Sequence, residues 1–156
     1  MGLLWFNLIM LAFYLPSLIL HEYGHAFAAR LVGLRLQSIS IGKGESFLQI
    51  GHFSLARKQF WEGLHRSQPS EISLSRGQRA VVLLGGVGAN LTGGVFVLIL
   101  SLLFPSPIMH LLAQPFIQVS LIFIVFNLLP IRLSSGIASD GLQLKQLFFN
   151  KNQHTS

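Results

Sequence analysis

The sequence predicts an all-α membrane protein with a core of three transmembrane helices and a small cytoplasmic-side β-hairpin or short sheet in the first loop. Three observations predict it. Of the 156 residues, 51% are hydrophobic and only 10% charged, where a soluble domain carries about 25% charged. Three apolar runs each offer the roughly 20 helical residues that a bilayer core requires. One stretch of alternating apolar and polar residues lies in a basic loop between the first two runs. Residues 1–150 read as a single integral membrane domain, and 151–156 as a polar tail.

The first span covers about residues 3–34. Leu3 to Leu20 is free of charge, and apolar character resumes from Ala26 to Leu34 around Arg30, so one long helix carries a polar inset. The N-terminus has no basic n-region and its apolar run exceeds the about 7–15 residues of a signal h-region, which favours an anchor over a cleaved leader. Pro16 either kinks the helix just before the inset or is a tolerated membrane-helix proline. The second span, about 80–104, has Asn90 as its only strongly polar member, and the third, about 108–131, is interrupted by Gln114, Pro115, Gln118, Ser120 and Asn127. Small residues stripe the second span at Gly85, Ala89 and Gly93 and at Gly86, Asn90 and Gly94, which invites close approach of another helix.

Lys and Arg set the orientation. Loop 35–79 holds bases from Arg35 to Arg79, whereas 105–114 holds none. By the positive-inside rule the N-terminus is outside, and loop 35–79 and the C-terminus are cytoplasmic. Within that loop, "LQSISIGKGESFLQIGHFSLARKQF" reads as two or three short strands with a hairpin, and "EGLHRSQPSEISLSRGQRA" as a turn-rich linker. The net charge of +6 does not indicate nucleic acid. A nucleic-acid binder sets its bases on a soluble face among aromatics, and here they flank apolar runs. Cysteine is absent, so any metal must be held by His, Asp or Glu.

The polar inset, "HEYGH", carries the chemistry. His21 and His25 are four residues apart, so on a helix both project from one face with Glu22 beside them. His-Glu-x-x-His is the zinc-hydrolase pattern: two imidazoles chelate the ion and the glutamate takes a proton from the attacking water. A chain of this His and Glu content gives about 0.006 accidental matches. An ionisable group at the bilayer centre costs about 2.5–3.5 kcal/mol and so marks a functional candidate. At the cytoplasmic interface the same pair is cheap.

A catalytic zinc takes three protein ligands and keeps one open position. Candidates for the third are His52, His65, His110, His154, Glu45, Glu62, Glu71 and Asp140. Topology sets His110 on the outer side and His154 in the tail. Asp140, the only aspartate, re-emerges on the side of His21 and His25, and it equally suits an Asp-Gly turn or a helix N-cap. His52 and His65 stay as alternatives. Asn90 suits either polar contact between helices or an amide for substrate backbone or oxyanion.

These motifs resemble the site-2 protease family of intramembrane zinc metalloproteases. "HEYGHAFAAR" is similar to its first-motif helix, "GVGAN" at Gly86–Asn90 to its Gly-Pro-x-x-Asn element, and "NLLP…SDG" to its Asn-x-x-Pro…Asp-Gly motif. The resemblance covers about Leu3 to Phe149. It implies a three-span core, Zn2+ held by His21, His25 and Asp140, Glu22 as catalytic base, and Asn90 and Asn127 near the substrate. Val87 stands where the family has proline, and "IRLSSGIA" is added between Asn127 and Asp140.

The expected function is therefore hydrolysis of peptide bonds in membrane-spanning or membrane-anchored proteins or peptides, near the cytoplasmic side. The lipid bilayer is the other partner, and a homo-oligomer or a regulatory membrane partner is compatible with the sequence. Two alternatives belong to other classes: a non-catalytic protein of the same fold that binds transmembrane segments, and a metal-ion carrier. The sequence names no substrate.

Overall fold

The computed structural model describes residues 3–67, 73–133 and 136–149. Glu71, Lys151, His154 and the whole tail 151–156 lie outside them. In chain order the elements are α1 (Leu3–Leu31), β1 (Leu36–Ile50), β2 (Phe53–Ser67), α2 (Arg76–Leu103), α3 (Pro107–Leu128) and α4 (Asp140–Phe149).

The helix α1 runs through both Pro16 and the polar inset. It stops at Gly33, whose φ of 88° is in the left-handed region that favours glycine. The Gly33 N–H donates to Arg30 O and the Leu34 N–H to Ala29 O, the Schellman pattern that satisfies the last carbonyls of the helix. The helix α2 begins at Arg76, earlier than its apolar run, because Ser75 and Gln78 form a capping box. Ser106 caps α3 and Pro107 opens it, one residue before the expected start of the third span.

Among the described residues, α2 and α3 are long and apolar enough to cross a membrane. Both keep large apolar side chains exposed, among them Val95, Phe96, Leu121 and Phe126, as lipid contact requires. The helices α1 and α2 cross where Gly24 meets Gly85, and a Cβ on either glycine would overlap the other's carbonyl. Gly85→Val is accordingly expected to destabilise the protein by about 1–3 kcal/mol through overpacking, measured as a lower unfolding midpoint in mixed micelles.

The loop is more structured than its sequence suggests. β1 and β2 form one antiparallel sheet, and Ile39 pairs with both Phe53 and His65, so the first half of β1 lies between two halves of β2. Left-handed Gly42 and Gly44 permit the bend in β1. The stretch expected as a linker from Glu62 onward is a correction: β2 continues through it to Ser67. Its alternation carries no inward hydrophobe, because Gly63 and His65 are the residues that face α1, against Glu22 and His25. Ile41, with no exposed surface, joins the sheet to a core with Leu18 of α1 and Val119 and Phe123 of α3.

The segment between α3 and α4 folds back on itself. Arg132 bridges to Ala138, and buried Ser139 ties its two ends together. The Ser139 hydroxyl donates to Leu129 O and accepts from the Ile131 and Leu142 N–H groups. Ser139, not Asp140, caps α4.

Candidate metal centre

Three donor atoms from two distant parts of the chain converge beside α2. His21 Nε2 and His25 Nε2 lie 3.0 Å apart, and Asp140 Oδ2 lies 3.2 Å from the first and 3.3 Å from the second. All three residues are buried and could hold a metal ion between them. The helical spacing of four residues brings the imidazoles together, and the Ser139 clamp brings Asp140 to them from the start of α4. Asp140 Oδ2 accepts no well-formed hydrogen bond, so a buried lone pair is aimed at the gap between the nitrogens.

Neighbouring groups orient the rings. His25 Nδ1–H donates to Val82 O at 2.8 Å, which leaves the Nε2 lone pair pointing into the cluster. The Asn90 amide has no exposed surface and lies 3.4 Å from His21 Nδ1. Amide oxygen and nitrogen are assigned from the hydrogen-bond network. With the amide turned, Asn90 Oδ1, otherwise buried without a partner, accepts from His21 Nδ1–H. Gly86 completes the cradle: a Cβ there would stand 2.6 Å from both Nε2 atoms.

Glu22 occupies the open side of the cluster. It lines a cleft of about 330 Å³ between α1, β2 and α3, with Leu18, Ile122, Phe123 and Phe126 as its apolar walls. Asn127 lines the same cleft while its Nδ2 donates to Phe123 O at 2.9 Å. Asn90 does not line it; Asn90 stands behind His21. His65 stacks on His25, with centroids 4.8 Å apart and planes inclined by 13°. Burial first, and then the neighbouring His25, lower the His65 imidazole to about 4, so it is neutral at neutral pH.

The other candidate ligands are elsewhere. His52, in the exposed turn between β1 and β2, donates from Nδ1 to Gln37 O, and His110 is exposed in the first turn of α3. Exposed Glu45 is on β1, and Glu62 pairs with Lys43 Nζ at 3.5 Å. Reasoning from sequence missed Gly86, Gly63 and Ser139 as parts of the site. Gly86 did lie within the quoted "GVGAN", but only the crossing of α1 and α2 shows what its missing side chain makes room for.

The fold and the cluster define a class: a membrane protein whose helices carry two histidines and an aspartate as potential metal ligands, beside a buried glutamate. Residues 8–116 match the sequence profile of Peptidase family M50, and the chain belongs to that family. It is also similar to the uncharacterized membrane protein YwmF of Bacillus subtilis (strain 168), with 31% identity over 132 residues, covering 81% of this chain and 77% of that protein. The family match ends before Asn127 and Asp140.

Proposed function

We propose that the protein is an intramembrane zinc endopeptidase that cuts membrane-spanning or membrane-anchored polypeptides near the cytoplasmic side. The single observation that carries the reading is the convergence of His21, His25 and Asp140 beside Glu22 at the end of an apolar cleft. Tetrahedral ligands about 2.0–2.1 Å from zinc stand roughly 3.3 Å apart, and the three donor atoms here are separated by 3.0 to 3.3 Å. Two imidazoles and one carboxylate, with a fourth direction free, are a donor set of the catalytic kind. In this reading α1 is a third span with α2 and α3, residues 1–150 are one domain, the N-terminus is outside, and loop 35–79 and the C-terminus are cytoplasmic.

His21, His25 and Asp140 would hold the zinc, which when bound supplies Lewis acidity toward water and the scissile carbonyl. The chain's own residues do the rest. Leu18, Ile122, Phe123 and Phe126 receive apolar substrate side chains from the bilayer, and Asn127 offers its amide oxygen to an unwound backbone N–H. Asn90, through His21, keeps the ring in the tautomer that leaves Nε2 free. Glu22 accepts one proton of the attacking water as its oxygen bonds to the carbonyl carbon. The carboxyl then returns that proton to the amide nitrogen as the C–N bond breaks, leaving a carboxylic acid and an amine.

The test reconstitutes the purified protein in lipid vesicles with a panel of single-span polypeptides whose helices are interrupted by Gly or Pro, and follows cleavage by mass spectrometry. Cleavage by the wild type that is lost in Glu22→Gln supports the proposal. A panel left intact by a zinc-loaded wild type rejects it. The ligand set is tested separately by metal analysis: Asp140→Ala is expected to lose bound zinc and His52→Ala to keep it. The opposite pattern would move the third ligand to the sheet.

A further inference from the structure

The geometry points to His65 as a positioning residue of the same centre: from β2 it holds the Glu22 carboxylate and the His25 ring together, making the sheet part of the catalytic apparatus. This rests on the protease reading above.

One short piece of strand meets Glu22 in three ways. The His65 backbone N–H faces the Glu22 carboxylate. His65 Nδ1 stands 4.0 Å from Glu22 Oε2, within reach of a small rotamer adjustment or one bridging water. Gly63, two residues earlier and so on the same face of the strand, lies against the Glu22 side chain with no room for a Cβ. Meanwhile the His65 ring lies nearly parallel to His25. His25 is thus held on one side by Val82 O and on its face by His65.

The strand has a firm base from which to do this. His65 pairs with Ile39 and Gly63 with Ile41, and both isoleucines are fully buried. The bend in β1 brings them to that position. A glutamate on a free helix face samples many rotamers, and a general base works only within hydrogen-bond reach of the water it deprotonates. Fixing Glu22 from β2 removes that freedom and keeps the side chain at the cleft wall. Gly63 and Glu22 both line the cleft, whereas His65 does not. Its effect therefore passes through Glu22 and His25, without substrate contact.

Two variants separate the nitrogen from the ring. His65→Phe keeps a stacked ring and removes the Nδ1 group, while His65→Asn places an amide N–H near the Nδ1 position and gives up the stack. On the polypeptide that the wild type cuts fastest, His65→Phe is expected to lower kcat by about 10- to 100-fold, the usual effect of losing an outer partner, with KM and bound zinc unchanged. His65→Asn is expected to recover part of that loss. Wild-type kcat in His65→Phe overturns the proposal, and so does a rise in KM at unchanged kcat, which would make His65 a substrate contact. A second readout needs no cleavage: acetohydroxamate binding to the cobalt-loaded protein, followed by visible absorption. His65→Phe should weaken this binding in the wild-type background and have no further effect in Glu22→Gln. Equal weakening in both backgrounds overturns the link to Glu22. A protein that cuts nothing yet shows this coupling rejects the protease reading and leaves the hold of His65 on Glu22 standing.

Discussion

Glu22→Gln is expected to leave zinc bound at the wild-type level and to lower cleavage by about 10²- to 10⁴-fold, the contribution of a general base. The carboxylate is 6% exposed and is not one of the three converging donors. An amide of the same shape fills its place against Gly63. What it cannot do is take a proton from water. Because a buried charge in an apolar helix is costly, removing it should leave stability equal or higher, so the loss cannot be assigned to unfolding. His21→Ala is the contrasting case, losing zinc and cleavage together. A metal-ion carrier predicts dependence of transport on these residues with no proteolysis at all, and cleavage that survives Glu22→Gln rules out the protease mechanism.

Local periodicity made part of this legible. The four-residue spacing of His21 and His25 suffices to put two imidazoles and a carboxylate on one helical face, whatever surrounds them. The apolar runs of α2 and α3 were equally plain, since lipid selects for them residue by residue. Without the family resemblance Asp140 was one candidate among several, because its position depends on the Ser139 clamp folding the chain back after α3. That clamp joins residues ten apart through a single hydroxyl, which no periodic pattern marks.

The end of β2 was hidden for the opposite reason. Strands are recognised by inward hydrophobes, and this one turns a glycine and a histidine inward because it packs on a polar site. The departure from the usual strand pattern thus coincides with the place where function shaped the sequence. Asn90 illustrates a third case. Its stripe of small neighbours correctly indicated a helix contact, but only the crossing of α1 and α2 decides that the amide meets His21 and leaves the cleft to Asn127.

Gly86→Ala is expected to lose zinc without altering a single ligand. The close contact of Gly24 with Gly85 sets α1 against α2, so the next residue, Gly86, faces the two imidazoles. The added methyl would stand 2.6 Å from both Nε2 atoms and 2.5 Å from His21 Cε1, in the space where the lone pairs meet. An ion bonded to those nitrogens lies about 2.0–2.1 Å from each, so methyl and metal compete for one volume. Retreat of the rings is blocked: His25 is bonded through Nδ1 to Val82 O on the same helix as Gly86, and His21 lies between Asn90 and Phe123. Alanine also favours helix over glycine by about 1 kcal/mol, so α2 is not weakened by the change. Zinc affinity should therefore fall by on the order of 100-fold or more, beyond what loss of an outer partner costs, while the helical signal is retained. Gly88→Ala is the matched control, since a Cβ at Gly88 meets nothing within 4 Å, and it should bind zinc as the wild type does. Equal zinc affinity in the two alanine variants, measured by competition with a chromogenic chelator, would mean that the nitrogens do not share an ion beside Gly86.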